Sequence, residues 1–310
     1  MFNITYLIFA HNNAKFLYNL ISQLNYPNCN FYIHIDKKSQ EDFSTIQNIP
    51  NVYFSSQRMS IGWGDITMIN ALILCCQEIV SLNLGDTIVF LSGQDFPIKS
   101  NEYIYQYLSS RVNENFIIGT PILSPACNWE EHGRRRIECY ALRVANRKIA
   151  TIEPHKFTLA NIKQILKVSL YSPKKISKAL NIYYKYPIRQ HPVGLQVYAG
   201  EFWWVLPVKS IKTILSYISS HPDFIEFHKN TSNPDEIVFN TLIYNLISKE
   251  CINNTCLRYI KWKKSPSPDN VTIEDQDIIK ECLNNPDILF IRKIDSIKTC
   301  NFIKELISKH

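Results

Sequence analysis

The sequence lacks the cysteine spacing of zinc and redox sites, and it has no long apolar segment. Its nine cysteines are odd in number, no two of them form a CxxC pair, and Cys75 and Cys76 are adjacent. This usage fits reduced thiols of the cytosol better than a disulfide framework, and it supports no zinc site. No basic segment leads into an apolar run after Met1, so we expect neither a signal peptide nor a membrane span. These absences predict a cytoplasmic location.

Signatures of nucleic-acid binding are also missing, although the chain is basic. Its 310 residues, 45% hydrophobic and 20% charged, are ordinary for a soluble protein with one large or two small domains. The formal net charge of +7 suits an anionic substrate, an anionic membrane surface or nucleic acid. Basic residues are scattered except at 134–136 and 261–264, and no helix-turn-helix, zinc-finger or RNA-binding pattern occurs. We therefore expect no nucleic-acid partner.

Residues 86–100 predict a buried strand that ends in a loop. The run 87–91 is short and apolar, as in strands of parallel sheets. Pro97 prevents the strand from continuing. The polar residues between them, which include Gln94 and Asp95, follow the strand's carboxyl end, where open α/β sheets place their ligands. An ordinary strand-to-helix turn explains the same residues.

A βαβ unit opens the chain. The apolar run 4–9 ends in a polar turn that contains His11, and residues 14–24 carry the apolar stripe of a core-facing helix. A second strand at 31–36 ends in Asp36, where a carboxylate can bind the ribose or base of a nucleotide. A solvated carboxylate beside the two following lysines is the alternative.

A glycine-rich loop precedes the next helix. The third strand is expected at 52–55, the loop RMSIGWG occupies 58–64, and a long apolar helix follows at 65–82 with Asp65 as its N-cap. The glycines on either side of Trp63 allow close backbone approach around a large ring, which suits packing over a ligand. A buried structural tryptophan is the alternative.

Several segments, in this order and spacing, resemble bacterial-type members of the core-2/I-branching N-acetylglucosaminyltransferase and peptide O-xylosyltransferase family. They are YLIFAHNN, FYIHIDKKS, RMSIGWG and LSGQDFPIKS in the first third, then GEFWW at 200–204, NPDE at 233–236 and the closing LFIRKID at 289–295. The resemblance spans nearly the whole chain.

The resemblance implies an α/β fold of the glycosyltransferase A type, in which a Rossmann-like nucleotide-sugar-binding sheet is fused to an acceptor-binding α/β half. We expect the donor half at 1–125 and the acceptor and catalytic half at 126–310, in one compact unit. A stretch at 150–186 with weak periodicity is interpreted as an insertion, which is mobile or rests on a membrane or a polysaccharide. The implied reaction is inverting: GlcNAc or xylose passes from a UDP-sugar to a hydroxyl of a glycan acceptor, and we expect a role in bacterial surface polysaccharide synthesis.

The donor site is expected to work without a metal or other cofactor. The loop in which related folds carry an Asp-x-Asp metal motif has one carboxylate here, Asp95, and the literal match at 275–277 follows a threonine as the capped first turn of a helix. The resemblance implies that basic side chains neutralise the diphosphate instead. The expected donor residues are His11, Asp36, Arg58, Trp63, Gln94, Asp95, Arg292 and Lys293.

The acceptor site is expected to combine aromatic and charged side chains. Rings stack on pyranose faces and charged groups bind hydroxyls, so the segment 129–140 suits a sugar, although a solvated charged loop is the alternative. Glu201 departs from the small residue that the family usually carries at this position. The expected acceptor-binding residues are Glu131, Arg135, Arg136, Trp203 and Trp262, the last flanked by Lys261, Lys263 and Lys264.

Glu236 is the expected catalytic base. It lies in a turn that opens an apolar helix at 237–247, and a helix N-terminus stabilises a carboxylate as the anion that a general base requires. A structural first-turn glutamate is the alternative on spacing alone, whereas the resemblance places the family's base here. A carbohydrate-binding module of the same fold without turnover is the rival function. The expected partners are a UDP-sugar, an oligosaccharide or polysaccharide acceptor, and peripherally the inner face of the membrane.

Overall fold

The structure is a computed structural model that describes residues 1–144, 147–192, 194–262 and 267–309. Lys263 and Lys264, expected beside Trp262, lie outside the described residues. The strands are β1 (Ile4–Ala10), β2 (Cys29–Ile35), β3 (Val52–Phe54), β4 (Thr87–Ser92), β5 (Asp95–Pro97), β6 (Asn115–Ile117), β7 (Thr120–Pro121), β8 (Tyr140–Val144), β9 (Arg147–Ile152), β10 (Tyr198–Ala199), β11 (Trp204–Pro207), β12 (Ile252–Asn253), β13 (Arg258–Ile260) and β14 (Phe290–Arg292). The helices are α1 (Ala14–Leu24), α2 (Ser44–Gln47), α3 (Ile66–Ser81), α4 (Asn101–Ser109), α5 (Arg134–Glu138), α6 (Leu159–Tyr171), α7 (Ile176–Lys185), α8 (Val208–Ser220), α9 (Pro222–His228), α10 (Val238–Leu246), α11 (Gln276–Asn284) and α12 (Ile297–Lys309).

The main sheet has the order β12-β6-β11-β4-β1-β2-β3. Its first half is parallel, since β1 pairs in parallel with both β2 and β4, and β2 pairs in parallel with β3. The predicted βαβ opening is therefore confirmed, with helix α1 at the predicted bounds. β11 lies antiparallel between β4 and β6, which confirms the α/β class as a parallel sheet extended by a mixed edge.

Both faces of the sheet are buried, which explains the continuous apolar strands. In β1, Ile4, Tyr6 and Ile8 belong to a core with α1, α4, α11 and α12, whereas Leu7 and Phe9 belong to a core with α3, α8 and α10. This alternation is the two-residue period of a strand that is covered on both sides. The result is three layers, with helices on either side of the sheet.

The sheet also joins the two predicted halves. Strands β11 and β12 come from the half at 126–310 and yet complete the sheet begun by β1 to β4. The two predicted halves therefore share one sheet. Their separate roles in donor and acceptor binding stay a prediction.

The predicted end of the strand is confirmed, since β4 stops at Ser92, but the chain then pairs again around Pro97, which the sequence did not predict. Asp95–Pro97 forms the short strand β5, antiparallel to β14 in a three-stranded sheet of order β13-β14-β5. Proline cannot donate a ladder hydrogen bond, but an edge strand needs none on its outer side. Pro97 is therefore compatible with pairing, since β5 lies at the edge.

Residues 140–186 form a satellite unit on this core. The hairpin of β8 and β9 packs against α6 and α7 around a small core of its own: Leu142, Ala150, Ile152, Val168, Ala179 and Ile182. The weak periodicity of 150–186 had indicated no helix, so α6 and α7 are additions to the prediction. Within the described ranges, no helix is both long enough and apolar enough to cross a membrane.

Candidate active site

A cavity of about 440 Å³ lies at the carboxyl ends of the parallel strands. Its wall contains the following residues: Phe9, Ala10, His11, Asp36, Lys38, Ile61, Trp63, Met68, Ser92, Gly93, Gln94, Glu201, Phe202, Trp203, Asp235, Glu236, Trp262, Ser267, Pro268, Arg292 and Lys293. A wider, open groove of about 1160 Å³ lies at the opposite ends of these strands, beside Met1 and Gly85. We take the first cavity as the candidate site, because open α/β sheets bind ligands at the carboxyl ends of their strands.

Three strand ends converge on this cavity. His11 follows β1, Asp36 follows β2 and Gln94 follows β4, and all three line the wall. They meet because neighbouring parallel strands end at the same edge of the sheet. Burial lowers the pKa of His11, although the charge of Asp36 opposes that shift.

Asp36 is held by its own loop. Its carboxylate accepts hydrogen bonds from the backbone N–H groups of Lys38 (2.8 Å) and Ile61 (3.3 Å), and the Lys38 ammonium lies 3.5 Å away. The side chain is 7% exposed, which does not fit a freely solvated carboxylate. Arg58 lies behind this loop and donates to the carbonyl oxygens of Asp36 (2.9 Å) and Ser39 (2.8 Å). Arg58 thus supports the loop from outside the cavity wall, and its donor-binding role stays a prediction.

The basic wall is built on a buried charge cluster. Asp95 is fully buried and pairs with Arg258 (3.1 Å) and Arg292 (3.2 Å), and it accepts hydrogen bonds from the backbone and hydroxyl of Ser92, both at 2.6 Å. Burial lowers the pKa of the Arg292 guanidinium, and Asp95 opposes that shift. Asp95 therefore lies behind the wall that Arg292 lines, where it holds a cation. Its direct contact with the donor stays a prediction.

Trp203 covers this cluster from the cavity side. Its ring lies 4.3 Å from the Arg292 guanidinium and 4.7 Å from that of Arg258, the geometry of cation–π contacts. The neighbouring Trp204 is 1% exposed and stacks on Phe239 in the core. The two tryptophans thus divide as expected, one for the cavity and one for packing.

Lys293 supplies a second cation to the same wall. Its ammonium donates to the hydroxyl of Ser267 at 3.0 Å, and burial together with the charge of Arg292 lowers its pKa. Trp262 also reaches the cavity with half of its surface exposed. Arg292, Lys293 and Trp262 therefore line one cavity, and their roles in donor and acceptor binding stay predictions.

Glu236 enters the cavity through a turn that two distant segments hold in place. Residues 234–236 form a 3₁₀ turn just before α10, and the carbonyl of Glu236 accepts from the backbone of Gly200 at 2.9 Å. Gly64, with φ +61°, lies against the preceding Asn233, where an added Cβ would meet the Asn233 Oδ1 at 3.0 Å. The glycine loop, the NPDE turn and the GEFWW segment therefore form one unit around Glu236, with Trp63 exposed at its rim.

Arg136 is the acceptor-side residue that reaches Glu236. Its guanidinium donates to the Glu236 carboxylate and lies 3.5 Å from the ring centroid of Trp129. Arg135 is elsewhere: it faces Glu131 and Glu153 at 3.8 Å each, while Glu131 bonds to Arg134. The structure thus brings Arg136 to Glu236 and places Glu131 and Arg135 in an ion-pair network beside it, and sugar contact by all three stays a prediction.

Two further carboxyl groups lie near Glu236. Burial and the Glu236 charge raise the pKa of Asp235 to about 7. The same two causes raise the pKa of Glu201, which Arg258, Arg292 and a hydrogen bond from Trp262 oppose. Three acids thus crowd one cavity beside the basic wall, an arrangement that suits proton transfer next to a charged leaving group.

The Asp-x-Asp match at 275–277 lies outside this site. The Asp275 carboxylate pairs with Lys261 at 2.6 Å and accepts from the Thr272 backbone at 2.9 Å, in a capping box. The capped first turn is confirmed. Among the described residues, no group of three His, Cys, Asp or Glu side chains is arranged to hold a metal ion. Metal independence itself stays a prediction.

Sequence reasoning missed Arg258, Lys38 and Asp235 as parts of the site. Lys38 and Asp235 lie close in sequence to Asp36 and Glu236, and this proximity could have identified them. Arg258 offered no such signal, because its contact with Asp95 depends on how β13 and β14 pair with a strand far away in the sequence.

Two similar proteins match most of this chain. Xylosyltransferase 2 of Homo sapiens is 22% identical over 273 residues, which are 84% of this chain and 27% of that protein. The probable beta-1,3-galactosyl-O-glycosyl-glycoprotein beta-1,6-N-acetylglucosaminyltransferase 7 of Homo sapiens is 24% identical over 247 residues, 78% of this chain and 49% of that protein. The chain therefore spans about a quarter to a half of the length of these relatives.

Solved structures and a family model also match this chain. Mouse xyloside xylosyltransferase 1 in its apo form covers 96% of this chain and 99% of its own, with 10% identity and a TM-score of 0.36. A 4-diphosphocytidyl-2C-methyl-D-erythritol synthase covers 81% of this chain and 95% of its own, with 8% identity and a TM-score of 0.32. The model of the Core-2/I-Branching enzyme family matches residues 4–284. The chain therefore belongs to the Core-2/I-Branching enzyme family.

Proposed function

We propose that this protein is an inverting glycosyltransferase that moves GlcNAc or xylose from a UDP-sugar to a hydroxyl of a glycan acceptor without a metal. The observation that carries the proposal is one cavity lined by a carboxylate at a turn before a helix, Glu236, and by two cations, Arg292 and Lys293. Such a transfer needs a base for the acceptor and positive charge for the departing diphosphate. Both lie in this wall.

We assign the role of general base to Glu236, because its carboxylate lines the cavity. In the proposed step, the acceptor oxygen forms a bond to the anomeric carbon while the bond from that carbon to the diphosphate oxygen breaks. The electron pair of the broken bond leaves with UDP, and the hydroxyl proton passes to Glu236. Attack from the face opposite the leaving group converts an α-linked donor into a β-linked product. Arg136 orients the carboxylate through their hydrogen bond.

The leaving group is assigned to the basic wall. Arg292 is nearly enclosed between Asp95 and Trp203, so its guanidinium is held in place before a ligand arrives. A preorganised cation in a site that excludes water stabilises developing charge more than a solvated one does. Lys293 adds a second positive charge at the same wall. Asp36 and the neighbouring loop are assigned to the nucleotide, at the end of β2.

The acceptor is assigned to the side of the cavity that carries Arg136, Trp203 and Trp262. Aromatic faces and a guanidinium bind pyranose rings and their hydroxyls. We propose a precursor of a bacterial surface polysaccharide as the acceptor, in keeping with the bacterial-type motifs of the sequence. A carbohydrate-binding module without turnover is the competing function, and catalysis separates the two.

The test has a binding arm and a turnover arm. A panel of nucleotide-sugars is screened by thermal shift, since a donor that binds only the folded state raises its melting temperature. Single-turnover transfer is then measured with the best donor for wild type and Glu236→Gln. We expect donor binding to survive and the rate to fall roughly 10²–10⁴-fold, the range for a lost general base. Glu226→Gln, at an exposed glutamate of α9, is the matched control and should transfer at the wild-type rate.

The outcomes separate the proposed assignments. Near-wild-type transfer by Glu236→Gln would remove Glu236 from the mechanism, and an α-linked product would overturn the inverting assignment. If EDTA abolishes transfer and manganese restores it, the basic wall is not sufficient and metal independence is wrong. Donor binding by the wild type without transfer to any of a set of oligosaccharide acceptors would favour the binding module.

A further inference from the structure

Exposed apolar side chains are concentrated on the satellite unit. Between residues 157 and 188, nine large apolar side chains are exposed to solvent: Phe157, Leu159, Leu166, Leu170, Tyr171, Leu180, Tyr184, Tyr186 and Ile188. Phe157, Leu159 and Leu170 are each about 80% exposed. Exposed apolar residues scattered singly are normal, whereas a contiguous group of this kind marks a surface that contacts something else.

Helix α6 shows that this exposure is a property of one helix face. Leu159, Leu166 and Leu170 follow an i, i+7, i+11 spacing, so they lie along one side of the helix, together with Lys163. The opposite side carries the buried Asn161 and Val168, which face the core of the unit. The helix therefore already buries one face, and its leucine stripe points outward.

Helix α7 repeats the arrangement. Ala179 and Ile182 are buried in the same small core, whereas Leu180 and Tyr184, one turn apart, are exposed. The two helices pack against each other, with α6 also lying on β9. Their outward leucine and tyrosine side chains therefore belong to one surface, which we call the α6–α7 surface and define as the exposed side chains between residues 156 and 188.

The charge of this surface has one sign. Six lysines lie within it: Lys156, Lys163, Lys167, Lys174, Lys178 and Lys185. From residue 154 to residue 200 the sequence contains no aspartate and no glutamate. Lys163 and Lys167 are exposed beside the leucine stripe of α6. The surface is therefore apolar and cationic together.

We propose that the α6–α7 surface docks on a membrane that contains anionic lipids. Leucine and aromatic side chains bury in the boundary between headgroups and acyl chains, and lysines at the same helix face extend their ammonium groups to the phosphates. A second copy of this chain fits less well, because an isologous contact would bring six lysines against six lysines. A nucleic acid would account for the lysines and a glycan for the tyrosines, but neither would bury the exposed leucine side chains of α6.

The unit that carries this surface is joined to the loops of the candidate site. From β8, Arg143 donates to the carbonyl oxygens of Gly64 (2.7 Å) and Thr231 (2.6 Å), and from β9, Lys148 donates to the hydroxyl of Ser232 (2.7 Å). These contacts tie the satellite unit to the two loops that hold Glu236. The unit that bears the docking surface therefore contacts the segments on either side of the candidate site through its hairpin. The proposal stands independently of the proposed function, since it concerns lipid binding alone.

The test is co-sedimentation of the full chain with vesicles. We expect binding to vesicles of phosphatidylglycerol and phosphatidylcholine, weaker binding at high salt, and little binding to phosphatidylcholine alone. The double variant Leu166→Ser/Leu170→Ser should lower the partition coefficient roughly tenfold or more, because two apolar side chains lose their buried position. Lys163→Gln/Lys167→Gln should lower it by a similar factor on the anionic vesicles.

Matched controls lie elsewhere on the surface. Leu82→Ser changes a leucine that is 54% exposed, close to the 57% of Leu166, and Lys280→Gln changes an exposed lysine of α11. Both should bind vesicles as the wild type does. Far-UV circular dichroism and melting temperature are measured for every variant, since loss of folding would mimic loss of binding. The four changed side chains of the α6–α7 surface are exposed, so we expect the folded state to persist.

Several results would overturn the proposal. These are wild-type protein that stays in the supernatant with anionic vesicles, and leucine variants that bind as the wild type does. Equal binding to neutral and anionic vesicles would also contradict the role of the lysines. A concentration-dependent dimer that the leucine variants dissociate, without vesicle binding, would assign the surface to a second copy of the chain.

Discussion

The buried pairing of Asp95 makes a strong prediction about stability. Asp95→Asn keeps the shape of the side chain and removes its charge. The two guanidiniums that it faces cannot reach solvent easily, because the side chains of Arg258 and Arg292 are 0% and 11% exposed. An uncompensated buried charge is the costly outcome of breaking such a cluster, at about 3–5 kcal/mol for removal of one partner. We expect the free energy of unfolding to fall by that amount.

The size of this loss would be large for a protein of ordinary stability, about 5–15 kcal/mol in total. The measurement is urea unfolding followed by tryptophan fluorescence, with the free energy extrapolated to water and the slope compared between variants. Asp277→Asn is the control, because Asp277 is an exposed carboxylate in the first turn of α11. Its loss should cost about 1 kcal/mol or less.

A different result would change the role of Asp95. If Asp95→Asn lowers the free energy of unfolding by less than about 1 kcal/mol, then the two arginines do not depend on its charge. If the variant keeps its stability and loses a divalent-cation effect on transfer that the wild type shows, Asp95 serves a metal rather than the arginines. A stability loss that is present with and without EDTA supports the buried cluster.

Three further predictions concern the loops around the cavity. Asp36→Asn should weaken UDP binding measured by titration calorimetry. An unchanged dissociation constant for UDP would show that Asp36 only stabilises its own loop and does not bind the nucleotide. Burial and the charge of Glu236 raise the pKa of Asp235 to about 7, so above about pH 4 the native state keeps a proton that the unfolded state has lost. This group therefore stabilises the fold below pH 4, and the contribution is lost as the pH rises to 7. Asp235→Asn should flatten this part of the pH profile of the free energy of unfolding in urea, and an identical profile would contradict the raised pKa. Gly64→Ala should destabilise the fold by about 1 kcal/mol or more, because the φ of +61° and the contact with Asn233 disfavour a Cβ at this position. It should also reduce transfer more than UDP binding, since Asn233 precedes the turn that holds Glu236. A melting temperature equal to that of the wild type would contradict this reasoning.

Local patterns were sufficient for the first half of the sheet. The apolar runs that became β1, β2 and β4 are covered on both faces, so their composition alone identifies them. Helix α3 begins where Asp65 was expected to cap it, and the Asp65 side chain accepts from the backbone of Thr67. These features depend on residues close together in the sequence, which is why they can be predicted without the fold.

The satellite unit shows the limit of periodicity. In α6, apolar residues lie on both the inner and the outer face, so no single stripe stands out and the sequence gives a weak helical signal. A helix whose outward leucines serve an external surface looks, in sequence, like an irregular segment. The outward leucine side chains of α6 therefore have two effects: they weaken the helical pattern in the sequence, and they make the surface of the unit apolar.

The charge cluster behind the basic wall depends on strand register, which no local pattern contains. In the ladder of β13, β14 and β5, Arg292 stands opposite Asp95, and Arg258 stands opposite Phe290, two residues earlier. A slip of one residue would turn Arg292 to the face of Ile291, which packs in the hydrophobic core, and would leave Asp95 without its partner. Burying an unpaired guanidinium there costs several kcal/mol, so the charges that prepare the site also select the register of the three strands. The same residues thus fix the local fold and orient Arg292 toward the cavity, which explains why Arg258, a side chain outside the cavity wall, belongs to the site.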